Sequence, residues 1–96
     1  MRWEWDDAKN RSNLRKHRIS FESASLVFED PLALSVQDLR HGEDRWHTLG
    51  AIGGAVILVV HTWSAYSPIA EEETGRIISA RKATSHERRA YEEGTL

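Results

Sequence analysis

The chain has 96 residues, a formal net charge of −2 and no cysteine. This length accommodates one domain, residues 1–96, with a single small core, and the lack of cysteine excludes disulfides and thiolate metal sites. Hydrophobic residues at 40% and charged residues at 29% are typical of a folded globular protein. The N-terminus lacks the apolar segment of a signal peptide, and the longest apolar run, residues 55–60, is too short to span a bilayer. We therefore expect a cytoplasmic protein without a membrane partner.

The N-terminal third predicts a short strand followed by two helices. Residues 2–5 alternate in character and place their two tryptophans on one face of a strand. An aspartate then caps a helix over residues 7–17, and Ser20 caps a second helix over residues 21–28, whose apolar residues recur at helical spacing. The second helix ends before Pro31, because the residue before a proline is disfavoured in helical geometry.

The rest of the chain has strand character until its last helix. Strands are predicted over residues 34–38, 45–52, 55–63 and 76–80, and a helix begins at Thr84. Gly53 and Gly54 predict a hairpin, and the unbroken apolar run at residues 56–60 favours a central strand buried on both faces. Residues 64–74 are acidic, contain a proline and predict a long loop. The order β-α-α-β-β-β-β-α predicts an α+β fold in which helices pack on a mainly antiparallel, twisted sheet.

Basic side chains are concentrated where the last predicted strand leads into the last helix. This strand–helix junction consists of Arg81, Lys82, Arg88, Arg89 and Tyr91, with Arg76 upstream in the strand. The planar guanidinium group suits phosphate oxygens, so the junction predicts a polyanion site. The alternative is an ordinary solvated helix, in which glutamates at positions 87 and 92 pair with the two helical arginines.

Local patterns add detail to the junction. Alternation along the strand places Ile77, Ser79 and Arg81 on one face. Thr84 and Glu87 match the capping box, in which a hydroxyl and a carboxylate satisfy the first amides of a helix.

Two other groups of residues have alternative interpretations. The basic stretch at residues 9–18 includes Arg15 and Lys16, and it is either an ordinary solvated helix face or an extension of an RNA-binding surface. The four tryptophans either stack on nucleic-acid bases or contribute to the core.

The five histidines do not form a recognisable metal motif, since neither HExxH nor HxH occurs in the chain. His61 falls at the end of the predicted central strand, where it either closes a core hydrogen bond or transfers protons. His41 follows Asp38 by three residues in a polar turn, a spacing that permits a carboxylate-oriented imidazole. We predict no metal and no cofactor.

Several runs of residues form a pattern that covers nearly the whole chain, in order. Those in the N-terminal third are Trp5-Asp6, Asn13-Leu14-Arg15-Lys16-His17, Ser20-Phe21-Glu22 and Val27-Phe28-Glu29-Asp30-Pro31. Those that follow are Glu43-Asp44-Arg45, Val59-Val60-His61-Thr62, Arg76-Ile77-Ile78-Ser79-Ala80-Arg81 and Glu87-Arg88-Arg89-Ala90-Tyr91-Glu92. This pattern resembles that of the BrnT toxins.

The resemblance implies a RelE-like ribonuclease fold and the toxin of a type II toxin–antitoxin pair, which cleaves RNA and arrests translation. It also implies a BrnA-like antitoxin with a ribbon-helix-helix domain, a toxin–antitoxin heterotetramer, and repression of the operon by that complex, so that operator DNA is bound only through the antitoxin. The alternative is a non-catalytic module that binds nucleic acid or antitoxin, such as a degenerate toxin that acts in operon repression.

Metal-independent cleavage of RNA requires that the 2′-hydroxyl is deprotonated, the phosphorane is stabilised and the leaving 5′-oxygen is neutralised. We expect an endoribonuclease in which these tasks fall to Arg81, Lys82, Arg88, Arg89, Tyr91 and His61. The residues that we expect to bind RNA are Arg76, Arg15, Lys16, His41 and Arg45.

Overall fold

The computed structural model describes residues 1–40, 44–67 and 72–95. The strands are β1 (Arg2–Glu4), β2 (Leu34–Asp38), β3 (Arg45–Ile52), β4 (Ala55–Ser67) and β5 (Glu72–Lys82). The helices are α1 (Asp7–His17), α2 (Phe21–Ala24), a 3-10 helix (Ser25–Glu29) and α3 (Ser85–Glu93). The predicted α+β fold and its order β-α-α-β-β-β-β-α are confirmed. None of the described helices is long and apolar enough to cross a membrane.

The strands form one sheet in the order β1-β5-β4-β3-β2. The strands from β2 to β5 make an antiparallel meander, and β1 joins its edge parallel to β5. β4 is therefore central, as its apolar run predicts, and its residues Ile57, Leu58 and Val59 are all buried. Because adjacent residues of a strand point to opposite faces, this burial shows that both faces are covered at that point.

One face of the sheet, the helix-covered face, carries the main core. The buried members of the core are Phe21, Ala24 and Val27 from the helices with Ile57, Val59, Ile77 and Ala80 from the sheet. Gly50 lies under the 3-10 helix, where an added Cβ would stand 2.7 Å from the Cβ of Val27. Only glycine therefore lets this helix approach β3 so closely.

The opposite face is covered at one end and accessible at the other. Leu49 and Leu58 lie opposite each other at the covered end and are buried. α3 packs near this end, since Arg81, which pairs with Leu58 across the strands, holds Glu87 of α3. The remaining part is the open face, defined by Val36, Asp38, Arg45, His47, Val60, Thr62, Arg76 and Ser79.

A bulge in β5 corrects the predicted alternation of that strand. Ser79 pairs with Val60, whereas Ile77 pairs with the next residue, His61, and a register shift separates the two pairs. Ile77 therefore faces the main core, while Ser79 lies on the opposite face with Arg81. The prediction that all three share a face was wrong, because the extra residue of a bulge reverses the alternation on one side of it.

The predicted loop over residues 64–74 was also wrong at both of its ends. β4 continues to Ser67 and β5 begins at Glu72, so the two strands pair well beyond the predicted limits. Residues 68–71 lie outside the described part of the chain.

The other predicted limits of helices and strands differ less from the structure. The first strand ends at Glu4, so Trp5 lies beyond it, and the second helix changes to 3-10 geometry at Ser25. β5 runs to Lys82, so Arg81 and Lys82 belong to the strand rather than to the predicted turn.

Candidate functional site

Arg81 at the strand–helix junction makes a bidentate ion pair with the last helix. Its Nη1 donates to Oε1 of Glu87 at 2.7 Å, and its Nη2 donates to Oε2 at 3.0 Å. This guanidinium lowers the pKa of Glu87 to about 2, and the pairing raises the pKa of Arg81. Nη1 also donates to the carbonyl of Lys82, which leaves the Nε–H and one Nη2 hydrogen of Arg81 for another acceptor.

The carboxylate of Glu87 also completes the capping box that the sequence predicts. Oε1 accepts from the Thr84 amide at 2.8 Å, and the Thr84 hydroxyl accepts from the Glu87 amide at 3.2 Å. Glu87 thus fixes both the first turn of α3 and the side chain of Arg81. The solvated-helix alternative instead predicted that Glu87 pairs with an arginine of the helix.

Tyr91 attaches the other end of α3 to the chain that precedes β2. Its hydroxyl donates to Oδ2 of Asp30 at 2.5 Å, and the same oxygen accepts from the Ala51 amide at 2.8 Å. Oδ1 of Asp30 accepts from the Leu32 amide at 2.9 Å. These donors, with Tyr91 first, lower the pKa of Asp30, and the carboxylate in turn raises the pKa of Tyr91.

The other basic side chains of the junction face solvent. Lys82, Arg88 and Arg89 are exposed, and no residue of α3 is fully buried. Arg88 lies 4.0 Å from Glu92, a distance at which an exposed pair contributes little to stability. These cations therefore remain accessible to an anionic ligand.

His61 lies in the interior, with no exposed surface. Its Nε2 is 2.6 Å from the hydroxyl of Thr48, and its Nδ1 is 3.0 Å from the carbonyl of Thr62. Trp3 and Phe28 pack edge-on against its ring. Burial lowers the pKa of His61 to about 4, so the imidazole is neutral near pH 7. This environment favours the core interpretation of His61 over proton transfer to a substrate.

The open face carries two cross-strand rows of side chains. Asp38, Arg45, Thr62 and Arg76 form one row across β2, β3, β4 and β5, and Val36, His47, Val60 and Ser79 form the next. Neighbouring strands are separated by about 4.8 Å, so the Cα atoms of Arg45 and Arg76 lie roughly 10 Å apart. The bulge in β5 places Arg76 on this face, and no sequence signal marks that bulge.

His47 is a histidine of the open face that the sequence did not predict as a site residue. Its Nε2 is 3.1 Å from Oδ2 of Asp38, a carboxylate whose side chain is 5% exposed. Oδ1 of Asp38 accepts from the backbone amide and from Nε of Arg40. The sequence suggested that Asp38 orients His41, which lies outside the described residues. The contact between Asp38 and His47 depends on the register of β2 against β3. This register pairs Asp38 with Arg45, and His47 lies two residues from Arg45 on the same face.

The basic residues of α1 lie on the other side of the sheet edge. Arg15 and Lys16 are exposed, and Lys16 borders a shallow groove between α1 and β5 that Ser79 also lines. α1 is attached to this edge by Asn13, whose side chain bonds both the amide and the carbonyl of Ala80. The structure therefore places Lys16 at the rim of the open face and does not bring Arg15 into it.

Among the described residues, no group of three or more histidine, aspartate or glutamate side chains has an arrangement that would hold a metal ion.

Residues 5–87 match the family model of the ribonuclease toxin, BrnT, of type II toxin–antitoxin systems. No individual curated protein matches the chain significantly. The match covers more than four fifths of the sequence and includes both the open face and Arg81 with its partner Glu87. The chain belongs to the BrnT family of ribonuclease toxins of type II toxin–antitoxin systems.

Proposed function

We propose that this protein is a metal-independent endoribonuclease that cuts messenger RNA on the open face of its sheet and thereby arrests translation. The observation that carries this proposal is the convergence of Arg45 and Arg76 on one accessible face, beside a carboxylate-bound imidazole. Two guanidinium groups on β3 and β5, either side of β4, fit the dispersed negative charge of a phosphorane.

The strand–helix junction extends this surface at one end. Arg81 lies on the same face of the sheet as Arg76, and it keeps two N–H groups for a phosphate while Glu87 fixes its orientation. Arg88 and Arg89 add exposed positive charge from α3. Lys82 is also exposed, but it pairs with Ile57 and therefore lies on the opposite face of the sheet. In this arrangement, Arg45, Arg76 and Arg81 hold the phosphates and Tyr91 keeps α3 in position.

The experiment is cleavage of a labelled messenger by the purified protein in EDTA. We expect cuts at defined positions that leave a 2′,3′-cyclic phosphate, because the adjacent hydroxyl is the nucleophile when no metal activates water. Arg76→Gln and Arg81→Ala should each lower the cleavage rate by about 100-fold or more, by analogy with the loss of one preorganised oxyanion donor. His86→Gln, at an exposed position of α3 outside the open face, is the control and should leave the rate unchanged.

Full activity in Arg81→Ala would show that the junction is not part of the catalytic site. Full activity in Arg76→Gln would show the same for the open face. Cleavage that EDTA abolishes would contradict the metal-independent mechanism.

Membership of a type II family implies a cognate antitoxin. We propose that this antitoxin is BrnA-like, with a ribbon-helix-helix domain through which the complex, a heterotetramer, binds operator DNA. The RelE-like relationship of the fold belongs to the same proposal, and its support is the α+β order with a central antiparallel meander. Purification of the toxin with the product of the adjacent reading frame, followed by measurement of the mass of the complex, tests the stoichiometry.

A non-catalytic toxin that only binds RNA or antitoxin is the second candidate. Its support is the engagement of Arg81 and Tyr91 in bonds that hold α3, which gives both side chains a structural role without catalysis. The same cleavage assay separates the two candidates, since a binding module would shift the labelled messenger in a gel without cutting it. Expression of the chain alone should then leave growth unaffected.

A further inference from the structure

The pair formed by Asp38 and His47 has the geometry of an oriented proton acceptor. A carboxylate only accepts hydrogen bonds, so the 3.1 Å contact requires that Nε2 of His47 carries the hydrogen. The lone pair of the neutral imidazole is then on Nδ1. Arg40 binds the other oxygen of Asp38, which keeps Oδ2 directed at the ring.

The free nitrogen of His47 is accessible. The side chain of His47 is 25% exposed, and its Nδ1 has no hydrogen-bond partner among the described residues. Every buried side-chain nitrogen or oxygen in the described part of the chain has a partner, so Nδ1 must contact solvent. His61 differs from His47 in this respect, because both nitrogens of its ring are bonded and the ring is enclosed.

His47 also lies where a phosphodiester would be held. It is two residues from Arg45 on the same strand and therefore on the same face, about 7 Å away between Cα atoms. Arg76 lies on that face two strands from Arg45. A phosphate held between these arginines would place the sugar that carries its 3′-oxygen within reach of the imidazole.

We propose that His47 is the catalytic base of this ribonuclease and that Asp38 is its positioning residue, an assignment that rests on the proposed RNA cleavage. Nδ1 of His47 takes the proton of the 2′-hydroxyl as the 2′-oxygen forms a bond to phosphorus. The bond from phosphorus to the 5′-oxygen breaks, the 5′-oxygen takes a proton from water, and the resulting hydroxide is neutralised when the imidazolium releases its proton. The products are a 2′,3′-cyclic phosphate and a free 5′-hydroxyl.

The charged groups around His47 are consistent with this role. Asp38 faces it from β2, Arg45 lies on its own strand, Arg76 lies on β5, and the Arg40 guanidinium binds the far side of Asp38. The neighbouring residues of β4 on this face, Val60 and Thr62, carry no charge.

The test compares His47→Gln with His86→Gln, a histidine exposed on α3 and outside the open face. Glutamine can still donate to Asp38 but cannot accept a proton at neutral pH, so the cleavage rate of His47→Gln should fall by 100-fold or more. Its affinity for an RNA with a 2′-deoxy residue at the cut position should change less than threefold. The rising limb of the pH–rate profile should disappear in His47→Gln and persist in His86→Gln.

Asp38→Asn supplies a readout that a purely structural role would not move. The amide can donate to the ring, which favours the tautomer with its hydrogen on Nδ1 and removes the proton acceptor. Nitrogen NMR of the labelled histidines should show this change of tautomer in the folded variant, together with a rate loss of about 100-fold or more. In the wild type, the 2′-deoxy RNA should perturb the Nδ1 resonance of His47.

Cleavage by folded His47→Gln within threefold of the wild-type rate would overturn this assignment and leave the proposed ribonuclease function standing. A Nδ1 resonance that the RNA leaves unperturbed would also overturn it, without reference to activity. Wild-type protein that cuts no RNA would overturn the proposed function and this assignment together, so the two failures are distinguishable.

Discussion

His61 shows how burial alone can decide the role of a histidine. Its ring is fully enclosed, both nitrogens are bonded, and desolvation of the charged form lowers its pKa from 6.5 to about 4. Protonation must therefore take place largely in the unfolded chain. A group whose pKa is depressed in the folded state makes stability fall as the pH drops through the interval between its two pKa values.

We predict that the free energy of unfolding decreases by about 3 kcal/mol between pH 6.5 and pH 4, in proportion to the change in the pKa of His61. The stabilisation is fully present above pH 6.5 and is lost progressively toward pH 4. Urea denaturation at several pH values measures it. His61→Phe should flatten the curve in this interval, because it removes the titrating imidazole. Thr48 keeps a hydrogen-bond partner in this variant, the hydroxyl of Ser35.

The contribution of Glu87 to stability can be separated from that of His61 by its pH range. Its pKa is lowered from 4.5 to about 2, so its contribution is lost only at more acidic pH than that of His61. His86→Gln should retain the wild-type curve. A wild-type curve that is level between pH 6.5 and pH 4 would show that His61 is not buried in solution.

At the scale of elements, α3 is held by polar contacts at both ends rather than by a buried apolar side. Its N-terminal turn is fixed by the capping box and by Arg81, and its last turn by the bond from Tyr91 to Asp30. None of its residues is fully buried. The position of α3 next to the open face therefore depends on a few directional bonds.

Tyr91→Phe should lower the free energy of unfolding by about 1–3 kcal/mol at pH 7, since it removes a hydrogen bond to a carboxylate while it keeps the ring. The pKa of Asp30 lies below its ordinary value of 3.8 in the folded protein, so the loss should shrink as the pH falls below that value. Denaturation of both proteins at pH 7 and pH 3 measures the difference. An equal loss at both pH values would mean that the phenol does not act through the ionised carboxylate.

Local signals explain why most elements could be predicted. The limits of α1 and β3 and the caps at Ser20 and Thr84 agree with the structure, because each is determined by residues close in sequence. The extents of β4 and β5 could not be predicted, since residues 64–67 and 72–74 lack an alternating apolar pattern and form strands by pairing with each other.

The candidate site was harder to predict from the sequence, because it also depends on how the strands pair. Arg76 reaches the open face through a bulge, and Asp38 meets His47 through the register of a hairpin. Both depend on contacts between strands rather than on spacing along the chain. The junction was identified because its charges are contiguous, although the pairing of Arg81 with Glu87 was not foreseen.

At the scale of the whole molecule, positive charge lies on both sides of the β5 edge, which is the part of β5 beyond its pairing with β1, although the net charge is −2. Arg45 and Arg76 occupy the open face, and Lys16 lies beyond the edge in the groove between α1 and β5. Arg15 follows on the exposed side of α1. An RNA strand that continues past the open face would meet these residues in that order, and one confined to the open face would not reach Arg15.

This geometry predicts that the salt dependence of RNA binding varies with the length of the RNA. Each phosphate neutralised on a single strand contributes about 0.7 to the slope of log K against log salt concentration. Arg76→Gln should therefore reduce the slope by about 0.7 for any 2′-deoxy-blocked RNA, whereas Lys16→Gln and Arg15→Gln should do so only for strands long enough to pass the β5 edge. His86→Gln serves as the control, and fluorescence anisotropy at several salt concentrations measures the slopes. Equal effects of Lys16→Gln on short and long strands would place α1 within the primary binding surface rather than at its rim.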